Sequence, residues 1–198
     1  MTHKNSSAYR ISILAILTAL LLVQSFVPMV GYINIIPGLP AVTTVHLTVI
    51  LGAVILGTRG GSTLGLIWGI LSLIQAYTAP GDPLSLLIFQ NPIIAILPRV
   101  LVGTVAGFTF EHLQHSRITK PGAMALAGVL GALVNTTLVI LLTWVFYSHQ
   151  ASGMYHTDPS RLIIVMLAAV AVNAIMEAIL AGIVTPLIGT PLMRFRRQ

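Results

Sequence analysis

The feature that most constrains the fold of this chain is a long apolar stretch with a carboxylate in its middle, residues 161–187. Between Leu162 and Ala181 every side chain is apolar or small except Asn173 and Glu177. About 20 such residues in a helix cross the hydrocarbon core of a bilayer, and an i,i+4 spacing places Asn173 and Glu177 on one helix face. Because a carboxylate facing lipid would be very costly, Glu177 must face protein, water or a ligand. It therefore indicates a functional site, the alternative being a purely structural hydrogen bond to a neighbouring helix.

The overall composition places the chain among polytopic membrane proteins. Hydrophobic residues make up 56% of the 198 residues and charged residues only 7%, with a mean hydropathy of +0.96. A soluble domain carries roughly 25% charged residues. The chain has no cysteine, which excludes disulfide bonds and thiolate metal sites. The basic residues lie at segment ends and are not clustered with aromatic residues, so membrane topology explains the net charge of +6 better than nucleic-acid binding.

The hydropathy pattern predicts one domain, residues 1–198, made of six membrane-spanning helices. The first apolar segment lacks an A-x-A-like cleavage site and is expected to be a retained helix. In the fourth apolar region, Asn91-Pro92 and Pro98-Arg99 predict an irregular piece, followed by a regular helix that begins near Pro98. The expected segments are residues 8–27, 45–56, 61–77, 84–110, 122–147 and 161–187, with a polar loop at 148–160.

Charge orients this predicted bundle with both termini in the cytoplasm. Arg161 is the one basic residue expected in the outer loops, and Arg99 lies inside the fourth segment. An excess of Lys and Arg in the loops and tails on one side of a membrane protein marks that side as cytoplasmic. The eight basic residues expected at the cytoplasmic ends are Lys4, Arg10, Arg59, Arg117, Lys120, Arg194, Arg196 and Arg197.

Small residues at i,i+4 spacing predict where helices approach closely. Gly57, Gly61, Gly65 and Gly69 form a ladder along the third segment, for which intramolecular packing is expected. Ala15 and Ala19 form a similar pair in the first segment. For that pair, a docking surface for another subunit is an alternative to packing within the chain.

Motifs of catalysis are missing from the sequence. Gly57-Thr-Arg-Gly-Gly-Ser-Thr lacks the lysine of a phosphate-binding loop, and no H-E-x-x-H occurs. Ser62 has no G-x-S-x-G setting, and His112 with His115 is an i,i+3 pair in a basic loop, where solvation explains it better than metal binding. The sequence therefore predicts neither an enzyme nor a metal or cofactor site.

A few polar residues inside the apolar segments suggest a small-molecule site instead. They fall mostly in the outer half or the middle of the bundle, beneath an uncharged loop, residues 29–44, that contains Tyr32 and Asn34 and can fold back over a pocket. An apolar pocket with a few convergent polar groups is the usual form of such a site, although a polar group of this kind taken alone is more often a satisfied interhelical contact. The predicted binding residues are Tyr32, Asn34, His46, Gln75, Asn91, Arg99, Asn135, Asn173 and Glu177.

Over almost its whole length the chain resembles the substrate-binding S components of energy-coupling factor (ECF) vitamin transporters. The resemblance rests on six helices in about 200 residues, Ala15-x-x-x-Ala19, the run from Asn91-Pro92 through Pro98-Arg99 to Gly103, Asn135-Thr136, and Asn173 with Glu177. It implies an all-α integral membrane protein of the cell membrane that binds a water-soluble vitamin from outside. It further implies docking through Ala15 and Ala19 to a transmembrane coupling subunit that is driven by two cytoplasmic ATPases. Within the family the pantothenate type is the most similar, with the hydroxymethylpyrimidine type as the alternative.

Ligand charge separates these two vitamins. Arg99 is a permanent cation suited to a bidentate contact with the carboxylate of pantothenate, unless it only caps loop carbonyls. In that reading Glu177 binds a hydroxyl or amide of the ligand or pairs with Arg99, whereas neutral hydroxymethylpyrimidine would favour Glu177 as its direct acceptor. A proton-coupled secondary transporter that uses Glu177, and a membrane scaffold without a ligand, are the other classes. Quenching of Trp68 or Trp144 by a vitamin would discriminate among them.

Overall fold

The computed structural model describes residues 7–27, 30–33, 42–79, 86, 88–154, 158 and 161–195, and in these ranges the chain is almost entirely helical. Two strands of two residues each pair antiparallel, with Tyr32 opposite Thr43 and Ile33 opposite Val42. The elements are α1 (Ser7–Phe26), β1 (Tyr32–Ile33), β2 (Val42–Thr43), α2 (Val45–Leu56), α3 (Thr58–Thr78), α4 (Pro92–Leu113), α5 (Lys120–Met154) and α6 (Leu162–Phe195).

Four of the helices, α1, α4, α5 and α6, are long and apolar enough to cross a membrane. The all-helical fold class predicted from the sequence is therefore confirmed. The small ribbon formed by β1 and β2 was not predicted. Asn34 lies outside the described residues, and so does most of the loop that was expected to fold back over a pocket.

The short helix α2 forms the centre of the bundle. It packs against α1, α3, α4, α5 and α6, and its residues from Val45 to Ile55 are all buried. A helix that is apolar on every side needs such an environment, because it has no face that favours water. Its bounds agree with the predicted segment at 45–56, and its first turn lies directly under the ribbon.

The glycine ladder of α3 lets the backbones of α3 and α4 approach closely, as expected. A Cβ atom on Gly61 would lie 2.6 Å from the carbonyl oxygen of Gly103, and one on Gly69 would lie 2.7 Å from the Cα atom of Ile96. The position of Gly65 is equally filled, by the backbone of Arg99. These contacts fix the height at which Arg99 meets α3.

The prediction that the regular part of the fourth helix begins near Pro98 is wrong. The helix begins at Pro92, where a proline costs nothing because the first turn has no intrahelical donors to lose. Asn91 is its N-cap, and Asn91 Oδ1 accepts a hydrogen bond from the amide of Ile93 at 3.0 Å. Pro98 lies inside the helix and removes the amide donor that would otherwise bind the carbonyl of Ile94.

Two further boundaries differ from the predictions. The polar loop expected at 148–160 is helical as far as Met154, and the backbone leaves helical geometry only at Tyr147, with φ −134° and ψ 23°. Helix α6 continues past the expected end at residue 187 to Phe195, although Pro186 and Pro191 lie within it. Prolines are tolerated in this way in membrane helices, where neighbouring groups compensate the lost backbone bonds.

Candidate functional site

Glu177, on α6, is buried within the bundle and is only 6% exposed. Its Oε1 atom accepts a hydrogen bond of 2.7 Å from the backbone amide of Thr43 in β2. A buried carboxylate needs such donors, and charge-assisted bonds are the stronger ones. Glu177 therefore ties the ribbon to α6, a contact between residues that are 134 positions apart in the sequence.

Thr43 also connects the ribbon to α2. Its Oγ1 atom lies 3.2 Å from Nδ1 of His46, and the fully buried imidazole lies beside the backbone of Glu177. The ribbon is further closed by Thr44, whose amide donates to the carbonyl oxygen of Gly31 at 2.8 Å. The start of α2, the ribbon and the middle of α6 thus meet at one place.

Arg99 places a positive charge in the same region and is also 6% exposed. Its guanidinium lies over two aromatic rings, 5.2 Å from the ring centroid of Trp68 and 4.6 Å from that of Phe89. Such stacking favours a desolvated cation. Arg99 is also near enough to Glu177 for its guanidinium to act electrostatically on the carboxyl group.

A hydrogen bond within α4 holds Arg99 in this position. Its Nη1 atom donates to the carbonyl oxygen of Ile94 at 2.9 Å, which is the acceptor that Pro98 leaves without its helical donor. The Pro-Arg pair therefore works as a unit. Pro98 leaves the carbonyl oxygen of Ile94 without its helical donor, and the side chain of Arg99 supplies a donor instead.

Asn135 of α5 faces the same end of the bundle as His46. A Cβ atom on Gly131 would lie 3.1 Å from Cγ1 of Ile50, so these two positions of α5 and α2 are in contact. Asn135 follows Gly131 by one helical turn and His46 precedes Ile50 by one turn, which places both residues at the same height below the ribbon. Asn135 is buried.

Several buried polar atoms in this region have no hydrogen-bond partner within the described part of the chain. Buried polar groups are nearly always paired, so a set of unpaired ones requires an explanation, and a ligand site is one. They lie on three different helices of the bundle, α2, α3 and α5. The atoms are His46 Nε2 on α2, Trp68 Nε1 and Ser72 Oγ on α3, and Asn135 Oδ1 on α5.

Other predicted binding residues make contacts between or within elements. Gln75 donates through Nε2 to the carbonyl oxygen of Ser25 at 3.0 Å, which joins α3 to α1. Asn91 caps α4 and also donates through Nδ2 to the hydroxyl of Tyr147 at 3.4 Å, at the kink of α5. Asn173 is half-buried one turn before Glu177, and Tyr32 contributes its backbone to the ribbon.

Three residues that shape this region are absent from the predicted binding residues, namely Thr43, Trp68 and Phe89. Thr43 acts through its backbone amide, which carries no signal in a sequence. Trp68 stands three residues after Gly65, and the backbone of Arg99 fills the place of a Cβ at Gly65. A tryptophan beside a glycine of a close helix contact, opposite a buried arginine, is a signal that could have identified it.

Comparison with known proteins identifies the family to which the chain belongs. Residues 9–189 match the family model described as the substrate-specific component of ECF transporters. The chain is 33% identical over 180 residues to the pantothenate transporter PanT of Leuconostoc mesenteroides, covering 88% of this chain and 87% of that protein. It is 35% identical over 209 residues to the pantothenic acid transporter PanT of Lactococcus lactis subsp. cremoris, covering 98% and 99%. The chain therefore belongs to the family of substrate-specific components of ECF transporters.

Proposed function

We propose that this chain binds pantothenate in the outer half of its helical bundle and delivers it to an ECF importer of the cell membrane. The observation that carries the choice of ligand is Arg99, a permanent cation held in a buried position by Trp68, Phe89 and the carbonyl of Ile94. A buried cation favours an anionic ligand, and the planar guanidinium suits a carboxylate. The printed names of both relatives support the same vitamin.

The rest of the ligand fits the remaining polar groups. Pantothenate carries two hydroxyl groups and an amide besides its carboxylate, so it offers both donors and acceptors. Asn135 Oδ1 is a buried acceptor and Ser72 Oγ can accept or donate. Glu177 already accepts from the backbone amide of Thr43 and so anchors the ribbon, and it need not meet the ligand carboxylate.

The proposed topology has six spans with both termini in the cytoplasm. In addition to the four long apolar helices, α2 and α3 together cross the bundle and return, joined at Gly57. The eight basic residues that the sequence pattern assigns to the cytoplasmic side, against Arg161 on the outer side, support the orientation. The ribbon and the first turn of α2 then lie on the outer side, above the binding region.

The proposed partners are a transmembrane coupling subunit and two cytoplasmic ATPases. Members of this family are substrate-specific subunits of a larger transporter and not enzymes. Ala15 and Ala19 are both exposed on α1, one turn apart, which supports a docking surface for the coupling subunit on that helix.

The test is a calorimetric titration of the purified chain with pantothenate and with hydroxymethylpyrimidine. Pantothenate is expected to bind more tightly, and Arg99→Gln is expected to weaken it at least about 30-fold, because removing one partner of a buried charge contact costs about 2–5 kcal/mol. Glu177→Gln, whose amide oxygen can still accept from Thr43, is expected to change pantothenate binding less than Arg99→Gln does. Arg161→Gln is the matched control, since Arg161 is exposed.

Two results would contradict the choice of vitamin. If Arg99→Gln binds pantothenate as tightly as the parent protein, Arg99 does not bind the carboxylate. If the parent prefers hydroxymethylpyrimidine and loses it in Glu177→Gln, Glu177 is the direct acceptor and the alternative ligand is correct.

A further inference from the structure

We infer that the indole N–H of Trp68 and the guanidinium of Arg99 form one anion subsite, and that Trp68 is a specificity-determining residue for the carboxylate of the ligand. This inference rests on the proposed function and adds a residue to it. Trp68 is 1% exposed, and its Nε1 atom has no hydrogen-bond partner within the described ranges. The guanidinium of Arg99 lies over the same indole ring, 5.2 Å from the ring centroid.

The chemistry of the indole nitrogen decides what the missing partner is. Among the four unpaired atoms named above, Ser72 Oγ can donate or accept, His46 Nε2 depends on its tautomer, and Asn135 Oδ1 only accepts. Trp68 Nε1–H only donates, so its partner must be an acceptor. Leaving such a donor buried and unpaired is unfavourable, and an acceptor on the ligand would remove that cost.

The neighbouring charge decides which acceptor it is. A neutral carbonyl could accept from the indole alone, whereas a carboxylate has two oxygens, can accept from both groups and adds a negative charge beside the guanidinium. The carbonyl oxygen of Ile94 already receives a bond from Arg99 Nη1, and it belongs to the scaffold that orients the arginine. An anion is therefore the acceptor that suits both the indole and the guanidinium.

The backbone contacts of α3 and α4 make this subsite rigid. A Cβ atom at Gly65 would collide with the carbonyl group of Arg99, and one at Gly69 would collide with Ile96. Trp68 lies between these two glycines in the sequence, so the close approach of the helices sets the height of the indole relative to Arg99. A site built on packed helices holds its donors more precisely than one built on a loop.

The experiment compares two ligands that differ only at the carboxylate. Pantothenate and pantothenyl alcohol, in which a hydroxymethyl group replaces the carboxylate, are titrated calorimetrically into the full-length parent chain, Trp68→Phe and Trp144→Phe. Phenylalanine keeps an aromatic face under Arg99 but removes the N–H. Trp144 is exposed on α5 and is the second of the two tryptophans in the chain, so Trp144→Phe is the matched control.

Trp68→Phe is expected to weaken pantothenate about tenfold or more, as loss of a hydrogen bond to a charged group does, and to change pantothenyl alcohol less than about threefold. Trp144→Phe is expected to change neither. A second measurement needs no variant at position 68. In the parent protein labelled with ¹⁵N at its indole nitrogens, pantothenate is expected to shift one of the two N–H signals strongly downfield, and pantothenyl alcohol is expected to shift it much less.

The outcomes separate this inference from the function on which it rests. Equal losses for both ligands in Trp68→Phe would assign the indole a packing role, and unchanged pantothenate binding or equal indole shifts would exclude the hydrogen bond. Each of these results overturns the subsite. None of them contradicts pantothenate binding by the parent protein, which is the proposed function. Failure of the parent protein to bind pantothenate would instead overturn the proposed function itself.

Discussion

At the scale of single residues, Pro98 and Arg99 show how a helix can hold a cation inside a membrane protein. Because Pro98 has no amide hydrogen, the carbonyl oxygen of Ile94 lacks its helical donor, and Arg99 Nη1 donates a hydrogen bond to this oxygen at 2.9 Å. The guanidinium thereby gains a fixed acceptor on its own helix, while Trp68 and Phe89 cover it. The arginine is oriented before any ligand arrives, which lowers the cost of ordering it on binding.

This arrangement predicts that stability and binding can be separated. Arg99→Gln is expected to lower the free energy of unfolding by about 1–3 kcal/mol, because the carbonyl of Ile94 then remains buried without its donor. Adding Pro98→Ala restores a backbone amide at position 98 for the same carbonyl. The double variant is therefore expected to regain stability in a thermal unfolding measurement but not pantothenate binding.

Pro98→Ala alone is the control, and it is expected to keep both stability and binding close to those of the parent. If the double variant is no more stable than Arg99→Gln, then the bond from Arg99 to Ile94 does not compensate for the proline.

The sequence was informative about which residues are buried and less so about what they contact. An ionisable side chain in an apolar membrane segment is expected to be buried in the protein, because lipid cannot solvate its charge. Both Arg99 and Glu177 are buried. The acceptor of Arg99 and the donor to Glu177 are backbone groups, and backbone groups are the same at every position. The sequence analysis considered that Arg99 caps loop carbonyls, whereas the carbonyl it binds is inside its own helix.

At the scale of elements, the apolar segments were predicted well and several of their ends were not. Helix α2 was bounded correctly because glycine and threonine flank a continuous apolar run. Helix α4 was expected to begin too late, because Pro98 was taken as a start when Pro92 already occupies the first helical position. The extension of α5 to Met154 passes through polar residues that favour a loop by composition, and composition does not reveal packing against α6.

The corner between α2 and α3 is held by groups from two other helices. The amide and hydroxyl of Thr58 both donate to the carboxylate of Glu111 on α4, at 2.8 and 2.7 Å. Arg10 of α1 donates through Nη2 to the carbonyl oxygen of Leu56 at 3.2 Å. Between them Gly57 adopts φ +84° and ψ −179°, a conformation essentially restricted to glycine.

Gly57→Ala is therefore expected to destabilise the protein by about 1–3 kcal/mol through backbone strain. Thermal unfolding of the purified protein measures the effect. Gly153→Ala is the control, because Gly153 lies in α5 with no heavy atom within 4 Å of the position of a Cβ, and alanine favours helix. Equal unfolding midpoints for Gly57→Ala and the parent would show that the corner is not strained by a side chain.

At the scale of the whole molecule, the proposed binding region lies at one end of the bundle and the proposed contact for a partner lies along α1. The binding region draws on α2, α3, α4, α5 and α6, while α1 contributes mainly a tie through Ser25 to Gln75. The exposed pair Ala15 and Ala19 lies on the helix that contributes least to the binding region. Docking and binding can therefore be changed independently.

Ala15→Trp and Ala19→Trp are each expected to reduce co-purification of the coupling subunit by at least about tenfold, because a large ring prevents the close approach that small residues allow. Pantothenate binding by the same variants is expected to remain at the level of the parent. Ile179→Trp, which places the same ring on an exposed position of α6, controls for the size of the side chain. Normal co-purification with both α1 variants would exclude this face.

The most direct test of the account measures labelled pantothenate in liposomes that contain only this chain, with internal volume and pH gradient varied. We expect saturable binding of about one molecule per chain that depends on neither variable, because the chain supplies a binding site and the energy comes from partner subunits. Accumulation that grows with internal volume or follows the pH gradient would contradict the account, since it would make the chain a transporter on its own.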